Sequence, residues 1–276
     1  MKAQIILTPS ESKMLIAKGV VASDVVKRAL QNGWIVVSAG STNIFVLKEI
    51  LRENFKEEMV TLGVCGLITS KKACISSEMM SFLVRNGHAK VWILEKGCLQ
   101  EKLTLSEVLK KMGRDDVFIK GANALDPYGK AAVFLGAANG GTIGVAYGTI
   151  KAKGINLIIP VGFEKTIPFS VYEVAGDVGI DSVDYSMGMR FGFLPMEGFV
   201  VTEQTAIKTL TGADAYPIGC GGVSGAEGSV VLLLKGDDEQ VKKTLKLIHG
   251  IKGVKPLKIS VPECSECPLK KTSKCW

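Results

Sequence analysis

The chain has 276 residues, 47% of them hydrophobic and 22% charged, with a formal net charge of +7. That much apolar material builds a buried core, which excludes a disordered or fibrous protein, and the length suits one large domain or a domain with a smaller partner. The longest apolar runs, INLIIPV and VVLLL, fall far short of the roughly 20 residues that cross a bilayer. The opening MKAQIILTPS is too short for a secretion signal. A soluble, cytoplasmic protein with no membrane partner is therefore expected.

In chain order, QIILT is a short strand, followed by a helix in PSESKMLIAKG that Ser10 can cap and Gly19 can end. Ser23 can cap a second helix, DVVKRALQNG, whose Val25, Val26, Ala29 and Leu30 recur at helical spacing. WIVVS is a β-rich run that breaks at AGST before a helix from about Asn43 to Glu53. Further strands are predicted at MVTLGVC, KVWIL, DVFIK and INLIIP, with helices around Ser77–Asn86, Leu105–Lys111 and Thr142–Lys153. Continuous apolar strands separated by amphipathic helices predict an α/β fold, with a mainly parallel sheet and helices on both faces, over residues 1–195. Beyond Met196 the pattern VVTE, QTAIKTLTG, GCGGVSGAEGSVVLLLKG and DDEQVKKTLKLIHG reads as β-α-β-β-α, with PLKISV as a last strand. It predicts a smaller ferredoxin-like α+β domain at 196–262. A Cys-containing tail follows at 263–276. The stretch 162–195 reads as loops on the active face.

Two Gly-rich turns carry the chemistry. In VVSAGSTNIFVLKEIL a strand ends at Ser38, the chain turns at Gly40, Ser41 and Thr42, and a helix starts. Backbone N–H groups at such a start, beside Ser and Thr hydroxyls, suit a phosphate or carboxylate, although an ordinary turn with Ser41 or Thr42 as N-cap uses the same residues. The absence of GxGxxG and of a Walker Lys argues against nicotinamide cofactors and ATP. In residues 116–162 nine Gly lie between Gly121 and Gly162. A strand runs into GANALD, the chain turns at Pro127–Gly129, and a second Gly segment through Gly140, Gly141 and Thr142 opens a helix. Small residues where strand ends meet helix starts let backbone approach a ligand, or let a crossover pack tightly.

AGSTN together with KGANALDPYGK and GGTIG resembles the superfamily of ribose-phosphate isomerase, glucosamine-phosphate isomerase and the coenzyme A transferases. It also resembles the effector domains of sugar-responsive repressors and the translation-factor-like isomerases. The resemblance covers about residues 30–165. It implies a phosphate grip at Gly40, Ser41, Thr42 and Asn43, with Gly121, Asn123, Asp126 and the segment Gly140, Gly141, Thr142 across the site. It further implies a small anionic metabolite as partner, a sugar phosphate foremost, and a homo-oligomer. Lys120 and Asn123 stand where the isomerase has acids, and Leu135 precedes the Gly run where it has Lys. Cys65 in LGVCG matches the Cys of the translation-factor-like isomerases.

The residues themselves offer Asp126 and Glu164 as acid/base groups, with Lys165, Glu173, Asp177, Asp181 and Asp184 as further candidates; the resemblance to coenzyme A transferases, which use a Glu nucleophile, offers Glu197 and Glu164 by residue type. The run VYEVAGDVGIDSVDYSMGMR suits a metal or a set of sugar hydroxyls, or is a solvated loop.

The basic end holds ten Lys and five acids between Lys235 and Trp276. Its lysines alternate with acids and no aromatic residue interleaves before Trp276, so a solvated helix face is expected there rather than a nucleic-acid site. Seven Cys is an odd number, which argues against a disulfide framework. Cys264, Cys267 and Cys275 give one C-x2-C pair plus one, able to hold zinc or an iron–sulfur cluster if Cys220 or Cys65 completes the set; the other reading is reduced thiols on a tail. Three functions thus stand side by side. They are an isomerase-like or coenzyme A transferase-like enzyme, a non-catalytic metabolite sensor, and a zinc or iron–sulfur protein with a redox role.

Overall fold

The computed structural model describes residues 1–65, 67–69, 73–86, 89–261, 263 and 265. Its elements in chain order begin with β1 (Lys2–Leu7), α1 (Pro9–Ala22), α2 (Asp24–Asn32), β2 (Trp34–Ser38), α3 (Ser41–Leu51) and α4 (Glu58–Thr61). Then come β3 (Leu67–Ile68), β4 (Ala73–Cys74), α5 (Ser77–Asn86), β5 (Val91–Glu95), β6 (Cys98–Leu99), α6 (Leu105–Lys111) and β7 (Val117–Ile119). The middle holds β8 (Ala124–Leu125), β9 (Ala131–Leu135), α7 (Gly141–Lys153), β10 (Asn156–Pro160), β11 (Gly192–Met196) and β12 (Phe199–Val201). The chain closes with α8 (Glu203–Thr211), β13 (Asp214–Gly221), β14 (Ser229–Lys235) and α9 (Asp238–Ile251). No helix among the described residues is long and apolar enough to cross a membrane.

The fold is mixed α/β. The central sheet has the order β12-β10-β7-β2-β5-β6, in which β12, β10, β7 and β2 run parallel while β5 and β6 are antiparallel. The sheet is thus mixed, where a mainly parallel one was expected, because the KVWIL strand returns antiparallel beside WIVVS. Ile35, Val37, Val117, Ile119 and Ile158 join a core with α1, α2 and α3, whereas Val36, Phe118, Leu157 and Ile159 join a second core with α6 and α7. That alternation is the two-residue period of a strand.

A three-stranded antiparallel sheet, β1-β14-β13, takes the first strand of the chain and two of the last. The ferredoxin-like unit expected within 196–262 is therefore not formed from those residues alone. VVTE supplies β12 to the central sheet, and β1, more than 220 residues away in sequence, pairs with β14 in its place. PLKISV forms no strand; Ser77 N donates to Ser260 O at 3.4 Å, so that segment lies along the start of α5. One apolar cluster runs unbroken from the central sheet through Leu15, Ile16 and Val20 of α1 to Ile5, Leu232 and Val241. Gly19 does not end α1. A Cβ there would stand 2.5 Å from the Cβ of Ala206, so its lack of a side chain lets α1 and α8 cross closely.

Local signals act as their chemistry dictates, with shifts. Thr8, two residues ahead of the expected Ser10, caps α1 in a reciprocal box with Glu11. Ser23 precedes α2 but turns its hydroxyl back to Val20 O at 2.7 Å. MVTLGVC is not a strand: Met59 and Val60 lie in the single turn α4, and Gly63 O accepts from Gly40 N at 2.6 Å. A short apolar run fits either element, and here the close approach of Gly63 to Ile44 decides it.

Candidate functional site

The parallel register brings the carboxyl ends of β2, β7, β10 and β12 to one edge, where the first turns of α1, α3 and α8 also lie. Ligands of open α/β sheets bind outside this edge. At its centre Asn43 is fully buried, and its Nδ2 donates to Ser38 O at 2.8 Å and Ser38 Oγ at 3.2 Å. Ser38 Oγ in turn donates to Ile119 O at 3.0 Å, locking β2 to β7. The Asn43 Oδ1 and Thr42 Oγ1 atoms are buried without a hydrogen-bond partner among the described residues. A Cβ on Gly121 would stand 3.4 Å from that Oδ1. Gly40, Ser41, Thr42, Asn43 and Gly121 are therefore brought together, and α3 starts without a side-chain cap.

Around this start stand three lysines. Lys120 follows β7, and burial pushes its pKa down while the neighbouring Cys65 opposes the shift. Its ammonium has no hydrogen-bond or ion-pair partner among the described residues. Burial likewise pushes the Cys65 thiol up, against the pull of Lys120. Lys165 closes the turn after β10 and donates through Nζ to Ala122 O at 2.7 Å. Burial lowers its pKa to about 8, Glu164 opposes, and the charges of Lys13 and Lys120 depress it further. Lys13, in the first turns of α1, pairs with Glu164 Oε1 at 2.8 Å, both side chains being about five-sixths buried.

Glu203 opens α8 and is wholly buried. Although a helix N-terminus favours a carboxylate, burial raises its pKa to about 7; the Phe163 N–H bonds to its two oxygens oppose this and Glu164 adds to it. Two groups that titrate near neutrality thus flank one edge, the pattern that acid/base chemistry requires.

The other expected residues lie in different roles. Asp126 is buried and accepts from the N–H groups of Tyr128 at 2.9 Å, Lys130 at 2.8 Å and Val171 at 3.1 Å, so it holds the β8–β9 turn against the 162–195 segment. Asn123 Oδ1 accepts from Phe134 N at 3.0 Å and fastens β8 to β9. Gly140 and Gly141 have φ of 74° and 61°, and hydrogen bonds from Gly140, Gly141 and Gly144 stay within the 137–144 turn that Thr142 continues into α7. Glu173, Asp177, Asp181 and Asp184 are exposed.

Cys264, Cys267 and Cys275 lie outside the described residues. Among the described residues no group of three or more His, Cys, Asp or Glu side chains is placed to hold a metal. Cys220 is exposed on β13.

Sequence reasoning singled out Lys165 and noted Lys120, but passed over Lys13 and Glu203. A usable signal existed for the first two. Each is a charge set just past the carboxyl end of a continuous apolar strand, VFI for Lys120 and NLIIP for Lys165, where solvent access is poor. No family model, no curated protein and no solved structure matches the chain.

Proposed function

We propose that the protein binds a small phosphorylated or otherwise anionic metabolite, a sugar phosphate foremost, at the edge formed by Ser38–Asn43, Lys120–Ala122 and Gly162–Lys165. The observation that carries this reading is the Lys120 ammonium, half-buried at this edge and without a partner among the described residues. A charge drawn partly out of water without a partner is costly, and a ligand of opposite sign relieves that cost. Lys13 is already matched by Glu164, so the excess cation belongs to Lys120 and Lys165. The uncapped start of α3 adds N–H donors beside them.

The resemblance to the sugar-phosphate isomerase and coenzyme A transferase superfamily enters this proposal through β2, the Gly40–Asn43 turn and α3. Turnover is favoured over sensing by Glu203 and Lys165, which titrate at about 7 and about 8. A sensor needs the cations but not a proton shuttle. A thermal-shift screen of the full chain tests the reading, using sugar phosphates, acyl-coenzyme A thioesters, nucleotides and simple carboxylates. Binding to the folded state raises the melting temperature saturably. The expected result is a rise with phosphorylated sugars that Lys120→Met removes; no rise with any class would sink the proposal.

A further inference from the structure

We infer that Lys165 is an imine-forming lysine, so that the metabolite is an anionic aldehyde or ketone whose carbonyl carbon condenses with the Lys165 amine. This rests on the anion site proposed above and names the chemistry of its substrate. Three features single out Lys165. Its Nζ is fixed by one acceptor, Ala122 O at 2.7 Å, and no carboxylate among the described residues pairs with it, the neighbouring Glu164 Oε1 being held by Lys13 at 2.8 Å. Lys13 and Lys120 press on it with like charge, which favours the free amine, and its pKa falls to about 8. Glu164 acts on it electrostatically and offers an acid/base group beside the amine. Lys120 lacks both the fixing carbonyl and the carboxylate, having only the Cys65 thiol for company.

The division of labour follows. Lys120 and the N–H groups at the start of α3 hold the anionic group while the Lys165 amine attacks the carbonyl carbon. A C–N bond forms and the carbonyl π pair moves to oxygen, which takes a proton relayed from the attacking nitrogen through Glu164. The carbinolamine then breaks its C–O bond; the hydroxyl leaves as water with one further proton, and the nitrogen pair closes the protonated imine. Amine, carbonyl compound and one proton give one iminium and one water, with no change of oxidation state.

Glyoxylate with cyanoborohydride tests this on the full chain near pH 8, because hydride reduction leaves a carboxymethyl group on any lysine that forms an imine. Peptide mapping is expected to show Lys165 modified about tenfold or more faster than the exposed Lys242 and Lys243 of α9, given the larger free-amine fraction at the lower pKa. Inorganic phosphate should slow labelling at Lys165 and leave α9 unaffected. In Lys165→Arg, with a cooperative melting transition as the check on folding, the fast-labelled peptide should vanish. Labelling of Lys165 no faster than of Lys242, with phosphate still raising the melting temperature, would overturn the imine and leave the anion site standing. No phosphate-induced rise and no protection by phosphate would overturn the anion site and the imine with it.

Discussion

The flap built on β8, β9 and β11 and the carboxyl edge of the parallel strands contain similar residues in opposite states. In the flap Asp126 and Glu197 both have their partners. Asp126 accepts three backbone N–H bonds, and exposed Glu197 is held by Lys130 at 3.2 Å and by the Tyr172 hydroxyl, a bond that pushes the phenol up to about 12. At the strand edge neither Lys120 nor Asn43 Oδ1 has a partner among the described residues, and Glu203 is raised to about 7 by burial. Satisfied groups hold a fold together, whereas buried and unmatched ones strain it. The second kind persists where function requires it. The two regions should therefore respond to substitution with opposite signs.

The largest expected effect breaks that comparison if it fails. Asp126→Ala strands three N–H groups and should cost about 3 kcal/mol in urea unfolding, with phosphate affinity within about twofold of the parent. Lys120→Met should do the reverse, gaining roughly 1–3 kcal/mol by removing an uncompensated charge while losing the phosphate response. Equal destabilisation by both would erase the distinction. Next in size, Gly19→Ala drives a methyl against Ala206 at 2.5 Å and should cost about 2–3 kcal/mol, since α1 ties the central sheet to the β1-β14-β13 layer. A loss under about 0.5 kcal/mol would show that the helices part easily.

The titrating groups sharpen the comparison through pH. Glu203 has its pKa raised from the ordinary 4.5 to about 7, so the folded chain binds more protons than the unfolded one between those values. Its contribution makes stability fall as pH rises through that window. Glu203→Gln should flatten the slope between pH 4.5 and 7, and an unchanged slope would contradict the assignment. Lys165 loses its ammonium as pH rises through about 8, and Glu203 gains a negative charge through about 7. Phosphate affinity measured by calorimetry should fall across the same range. The smallest effect belongs to the exposed Lys208–Asp214 pair at 2.7 Å, where Asp214→Asn should cost under about 1 kcal/mol and diminish further in salt.

Elements with a long or strongly patterned period were readable from sequence. Helix α5 at Ser77–Asn86, α6 at Leu105–Lys111 and the strands at WIVVS, KVWIL and INLIIP lie where local pattern alone placed them. What failed was non-local. Nothing in QIILT says that its partner is SVVLLLK at the far end of the chain, and only that pairing takes β1 out of the central sheet. Direction is equally silent, since KVWIL looks the same whether it returns parallel or antiparallel to WIVVS. In the site, the Gly40–Asn43 turn was legible because strand, turn and helix follow one another in sequence. The turn-organising bonds of Asp126 were not legible, because a carboxylate that organises a turn and one that moves protons look alike until their N–H partners are known. Lys13 and Glu203 were invisible for the converse reason. A charged residue in a helix start is normally solvated, and here only tertiary packing buries it.

The most direct test of the account is the urea-unfolding midpoint of Lys120→Met, measured with and without inorganic phosphate beside the parent chain. The account predicts a midpoint above the parent's in plain buffer and no further rise with phosphate, which still raises the parent's. A midpoint below the parent's together with an undiminished phosphate response would contradict it.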